Sequence, residues 1–136
     1  MDEPRKIVVG LDSSEGSVRA SRMAARLAVD LGAQVVAVHA TLSSSGGRPG
    51  REQLSSWCRP LTEAGVLERT VVQDDTAVRL LHRVAEIENA YLIVVGSSER
   101  SELGEFLTGS VVADLAHHGN RPLVIVPTPD SEIVMG

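Results

Sequence analysis

Asp12, Gly96 and the pair Gly109-Ser110 are the residues of this chain whose types and positions could do chemistry together. Asp12 follows an apolar run, Gly96 follows another, and Gly109-Ser110 opens a helical stretch that reaches His118. A helix N-terminus offers unpaired backbone N–H groups and a partial positive charge, which together suit a phosphate. Glycine there lets backbone approach an anion closely, and Ser110 adds a hydroxyl. The same residues also serve a chain with no ligand, since glycines punctuate turns and an Asp can cap a helix. Residue types alone leave both readings open.

These residues meet only if the elements before them lie side by side. Lys6–Leu11 (KIVVGL), Gln34–Ala40 (QVVAVHA), Val66–Val72, Tyr91–Val95 (YLIVV) and Leu123–Val126 read as five short strands rich in β-branched residues. Between the first two, Ala20, Met23, Ala24, Leu27, Ala28 and Leu31 recur at helical spacing, with Arg19, Arg22, Arg26 and Asp30 on the other face. Gly32 marks the end of that helix. A weaker helix is expected over Arg51–Ala64, interrupted at Pro60. A third follows Asp74-Asp75-Thr76, whose side chains are expected to cap it, and buries Ala77, Leu80, Leu81, Val84 and Ile87, while a fourth spans Gly109–His118. Strands alternating with helices give an α/β fold: an open, doubly wound, five-stranded parallel sheet. Ligands of such sheets sit beyond the carboxyl ends of the strands where strand order reverses. That directs attention to Leu11–Ser17, Ala40–Ser44 and Gly96–Ser110. Residues 1–127 are expected to form one domain, with 128–136 a mobile tail.

Composition narrows the function. Lys and Arg number 13 against 18 Asp and Glu, a net charge of −5, which disfavours nucleic acid because such binding rests on basic neutralisation of phosphates. One lysine, Lys6, and no lysine after a glycine-rich turn exclude a P-loop. Neither the dinucleotide fingerprint nor a G-x-S-x-G elbow is present. His117 and His118 are adjacent, and adjacent helical residues point about 100° apart, a poor arrangement for one metal ion. The single cysteine, Cys58, excludes an internal disulfide and reads as structural. With no signal-peptide pattern and no membrane-length apolar run, a cytoplasmic location is expected.

Two stretches, VVGLDSSEGS near the start and VVGSSERSELGEFLTGSVVADLAHHGNRPLVIVP near the end, resemble the universal stress protein family over nearly the whole chain. The resemblance implies strand order 3-2-1-4-5, the adenine nucleotide alpha hydrolase-like arrangement. It also implies a site for an adenine nucleotide, ATP or AMP, with Mg²⁺ as a possible companion. Asp12 and Ala40 would place the adenosine part, and Gly96, Ser97, Gly109 and Ser110 would line the phosphates. The family's nucleotide-binding pattern is glycine, two residues, glycine, nine residues, glycine and a hydroxyl residue. Here Glu99 replaces the second glycine, and Glu102 and Glu105 share its loop. Three carboxylates near a triphosphate repel it unless they point away or share a cation. The alternative is therefore a stress protein that docks on a protein partner without nucleotide. In either case the resemblance implies regulation rather than turnover, at most a slow ATPase. It further implies a homodimer through Leu123, Val124, Ile125 and Val126, a bare apolar edge that invites pairing.

Overall fold

The computed structural model describes residues 3–43, 47–96 and 121–127. Five strands, β1 (Lys6–Gly10), β2 (Gln34–Ala40), β3 (Leu67–Gln73), β4 (Leu92–Gly96) and β5 (Leu123–Val126), form one sheet in the order β3-β2-β1-β4-β5. All four pairings are parallel. The expected doubly wound sheet, strand order included, is therefore present. Helices α1 (Glu15–Leu31), α2 (Arg51–Glu63) and α3 (Ala77–Glu88) connect the strands, and a 3-10 turn at Thr41–Ser43 leaves β2. The expected fourth helix, 109–118, lies outside the described residues, as do the loop glutamates Glu99, Glu102 and Glu105 and the tail 128–136.

The sheet is buried on both faces because its strands are nearly continuous Val, Ile, Leu and Ala. Alternate side chains divide between two cores. Ile7, Val9, Leu11, Val35, Ala37, Leu92 and Val94 pack on Ala20, Ala24 and Ala28 of α1 and on Cys58 and Leu61 of α2. Val8, Val36, Val38, Ala40, Ile93 and Val95 pack on Ala77, Leu80, Leu81, Val84 and Ala85 of α3. Each fully buried Val, Leu or Ile contributes about 1.5–3 kcal/mol relative to exposure. Alanines facing the sheet from α1 let that helix lie close against it, which later matters for Gly96.

Helix ends follow local chemistry. Ser14 caps α1, its Oγ accepting the Ser17 N–H at 3.2 Å. Gly32 closes the helix in the left-handed region, φ 65°, and its N–H reaches the Ala28 and Val29 carbonyls. Asn89 performs the same turn for α3 at φ 52°, a position where asparagine tolerates what most residues do not.

Three expectations need correction. Pro60 does not interrupt α2, which runs unbroken from Arg51 to Glu63. It sits near the helix's end, where its missing N–H removes one bond, and the buried Cys58 and Leu61 on either side hold the helix down. Ile87 is 70% exposed rather than buried. The inward stripe of α3 is centred on Ala77, Leu81 and Val84, so Ala85 takes the place against the sheet and Ile87 turns about 90° from the stripe's middle. Finally, Thr76 is the N-cap of α3 but makes no side-chain capping bond. Its own N–H donates instead to Asp75 Oδ1 at 2.8 Å, while Asp74 accepts from Thr41 Oγ1 at 2.5 Å.

Candidate functional site

Asp12 stands two residues beyond β1, Ala40 ends β2 and Gly96 ends β4. These strands are neighbours in the order β2-β1-β4, so the three residues stand along one carboxyl edge. The helix after β1 returns to β2 on one side of it, whereas β4 pairs with it on the other. The strand order reverses here, which is where α/β sheets of this kind bind ligands. Ser97, Gly109 and Ser110 lie outside the described residues.

Asp12 is 2% exposed. Its Oδ1 accepts the Ser14 N–H at 2.8 Å and the Ser14 hydroxyl at 2.5 Å, and its N–H donates to Ser17 Oγ at 2.8 Å. The Asp12-Ser13-Ser14 turn is thus a hydrogen-bonded entry into α1, with the carboxylate gripping the capping serine that in turn grips Ser17. Capping is part of what Asp12 does in this fold. It also fixes where the carboxylate stands relative to the strand end.

Gly96 has a packing reason to lack a side chain. A Cβ built there would lie 2.1 Å from the Gly16 carbonyl oxygen and 2.9 Å from the Gly16 Cα. The first turn of α1 rests directly on the end of β4, backbone against backbone. Any larger residue at 96 would push the N-terminus of α1 away from the edge that carries Asp12.

Sequence reasoning did not assign a role to His39, which the structure places between the two adenosine candidates. It is 2% exposed. Its Nδ1 lies 2.8 Å from the Leu11 carbonyl oxygen. A carbonyl only accepts, so Nδ1 carries the hydrogen and donates. Among the described residues Nε2 is buried with no hydrogen-bond partner, and the ring sits tilted 51° against Trp57 at a centroid separation of 5.0 Å. The only signal in the sequence is a histidine within an otherwise apolar strand. Beyond Ala40, Thr41 Oγ1 reaches Asp74, the Leu42 N–H reaches the Asp75 carbonyl at 3.1 Å, and Arg48 Nη2 donates to the Val72 carbonyl at 3.3 Å. Asp75 also faces Arg83 at 3.1 Å and Arg79 at 3.6 Å. These contacts tie the exit of β2 to the end of β3.

Cys58 is 2% exposed and belongs to the core beneath this edge. Burial pushes its thiol pKa up, so it stays protonated and unreactive at neutral pH. Among the described residues, no cluster of three or more His, Cys, Asp and Glu could hold a metal ion, and no helix is long and apolar enough to cross a membrane. His117 and His118 lie outside those residues.

Known proteins share this architecture. A universal stress protein solved in complex with cAMP superposes with a TM-score of 0.72 at 28% identity, covering 93% of this chain and 99% of that one. The universal stress protein of Archaeoglobus fulgidus in complex with dAMP gives 0.65 at 26% identity, over 90% and 97% of the two chains. A universal stress protein of Methanocaldococcus jannaschii is 26% identical over 144 aligned positions, 94% of this chain and 85% of its own. A model of the universal stress protein family matches residues 3–127, and with the strand order and carboxyl edge described above, the chain belongs to that family.

Proposed function

We propose that this protein is a regulator that binds an adenine nucleotide at the carboxyl edge of its sheet and acts through protein partners rather than turnover. The observation that carries the reading is the convergence of Asp12, Ala40 and Gly96 on three adjacent strand ends at the reversal of strand order. Two similar proteins were solved with cAMP and with dAMP, and both ligands are adenine nucleotides with a single phosphate. In this reading Asp12 accepts from a ribose hydroxyl and the Ala40 backbone meets adenine. Gly96, Ser97, Gly109 and Ser110 line the phosphate, or the phosphates and Mg²⁺ if the ligand is ATP. Calorimetric titration with ATP, AMP and cAMP, each with and without Mg²⁺, tests it. Saturable micromolar binding that is lost in Gly109→Glu is the expected result.

A second reading is favoured by one feature, the glutamates at positions 99, 102 and 105. It is a dimeric docking protein whose loop rejects phosphate, and absence of heat with all three nucleotides selects it. Both readings include a homodimer through β5. Among the described residues that strand pairs only with β4, Ile125 is 40% exposed, and Leu123 and Val124 are half-buried, an apolar edge of the kind that pairs with a second copy. Sedimentation at micromolar concentration showing only monomer would remove the dimer from both.

A further inference from the structure

The unassigned group on this edge is His39, and its placement bears on how Ala40 is presented. Strands β1 and β2 run in register from Lys6 opposite Gln34 to Gly10 opposite Val38. The last backbone bond between them, among the described residues, runs from the Leu11 N–H to the Val38 carbonyl at 2.8 Å. In a parallel ladder both backbone groups of a residue point to the same neighbour, and alternate residues point to alternate sides. Val38 faces β1, so Ala40 faces β1 as well. The next rung would join the Ala40 N–H to the Leu11 carbonyl. The His39 Nδ1–H occupies that carbonyl instead, at 2.8 Å.

We infer that His39 is a positioning residue that ends the β1–β2 ladder one rung early and so keeps the Ala40 backbone available to a ligand. The inference rests on the reading of this edge as an adenine-nucleotide site. A second observation supports it. Among the described residues His39 Nε2 is buried and without a partner, although buried polar atoms are nearly always paired because an orphan costs about 1–3 kcal/mol. A leucine here would avoid that cost and would let the ladder continue. The chain keeps an imidazole whose one bond competes for the Leu11 carbonyl, directly between the residue before Asp12 and Ala40. The ligand class that fits is a planar heterocycle with adjacent donor and acceptor atoms, such as the amine and ring nitrogen of adenine. Such an edge matches the N–H and C=O that one strand residue points to the same side.

The test uses amide hydrogen exchange of the whole ligand-free chain by NMR, together with titration of AMP. In the wild type, the Ala40 amide should exchange at least a hundredfold faster than that of Val38, which lies inside the sheet, and should become protected when AMP binds. Equal protection of the two amides in ligand-free protein would overturn the inference with no variant needed. His39→Leu should slow Ala40 exchange, leave thermal stability equal or higher, and weaken AMP binding at least tenfold. His39→Asn, whose amide nitrogen stands where Nδ1 stood, should restore affinity to within about threefold. A folded His39→Leu with wild-type affinity, or a His39→Asn that behaves like His39→Leu, would overturn it. The emission of Trp57, the sole tryptophan, reports whether the packing around residue 39 is retained in each variant. If the wild type binds none of the three nucleotides, the functional reading fails, and Ala40 exchange in His39→Leu alone decides whether the imidazole frees that rung.

Discussion

The two ends of the sheet are both polar, and they use polarity in opposite ways. At the amino edge a cleft of about 910 Å³ is lined by Glu3, Arg5, Glu86, Tyr91 and Arg121 among others. Most of its charged groups, Lys6, Glu86, Glu88 and Arg121, are held in ion pairs or backbone bonds. Arg121 donates to the Ala90 carbonyl at 2.8 Å, to Asn89 Oδ1 at 3.2 Å and to Glu86 at 3.3 Å. Lys6 pairs with Glu68 and Arg69 with Glu88, and the Arg5 guanidinium lies 5.0 Å from the centre of the Tyr91 ring. At the carboxyl edge the buried polar groups are instead spent on shaping backbone: Asp12 on the turn into α1, His39 on the Leu11 carbonyl, Thr41 on the exit of β2. Charges that neutralise each other offer a ligand little, whereas fixed strand ends and a closely approached helix N-terminus offer defined directions.

The largest expected effect comes from filling the contact that holds the carboxyl edge together. Gly96→Val places a branched side chain where even a Cβ stands 2.1 Å from the Gly16 oxygen. Neither side can yield without moving α1. The expected loss is about 3 kcal/mol or more of unfolding free energy in urea, together with nucleotide binding. Gly96→Ala should fail in the same direction. If Gly96→Ala retains wild-type stability and binding, the edge is softer than the comparison requires.

Next in size is a matched pair, one variant at each end. Asp12→Ala removes two hydrogen bonds that the carboxylate makes to Ser14 and should cost about 1–2 kcal/mol. Asp12→Asn keeps an acceptor for the Ser14 N–H, so it should recover most of that stability while still binding nucleotide at least tenfold more weakly. Arg121→Ala should cost about 1 kcal/mol through the bond to the buried Ala90 carbonyl. Little of that comes from the 79%-exposed Glu86, since exposed pairs contribute little. Nucleotide affinity should not change. A weakened affinity in Arg121→Ala would mean that the two ends are coupled.

Most of the architecture was legible because its determinants are local or periodic. Runs such as KIVVG and LIVVG, the Asp-Ser-Ser entry to α1 and Gly32 at its end state their roles over a few residues. What escaped depends on partners distant in sequence. Gly96 reads as a phosphate glycine, yet its contact with Gly16 emerges only when α1 lies on β4. His39 reads as one polar residue in an apolar strand until the Leu11 carbonyl and the Trp57 ring are beside it. Pro60 and Ile87 were misjudged for a related reason. At both positions packing overrides local propensity and hydrophobicity, with Leu61 anchoring one helix end and Ala85 displacing Ile87 from the sheet. Of the site expected from the sequence, Asp12, Ala40 and Gly96 share an edge, while Ser97, Gly109 and Ser110 belong to residues outside the structural description.

The smallest expected effect measures how dry the core beneath the carboxyl edge is. Cys58 lies in that core, next in sequence to the tryptophan that touches His39, and burial raises its thiol pKa. Below the ordinary thiol value, about 8.5, both folded and unfolded chains hold the proton, and the stability that Cys58 contributes does not vary with pH. Above it the unfolded chain ionises while the folded chain does not. The unfolded state is favoured progressively, and stability falls until the pH passes the raised folded value. The loss should stay under about 1 kcal/mol at pH 9, given at most 1.4 kcal/mol per pH unit. The quantity to measure is the difference between wild type and Cys58→Ala in reduced urea unfolding at pH 7.5 and 9, which isolates the thiol. A wild-type decline that is absent in Cys58→Ala places a dry, closed core under the carboxyl edge. Parallel declines would mean that water reaches the thiol from the edge above, and that the rigid end of the comparison is the more open of the two.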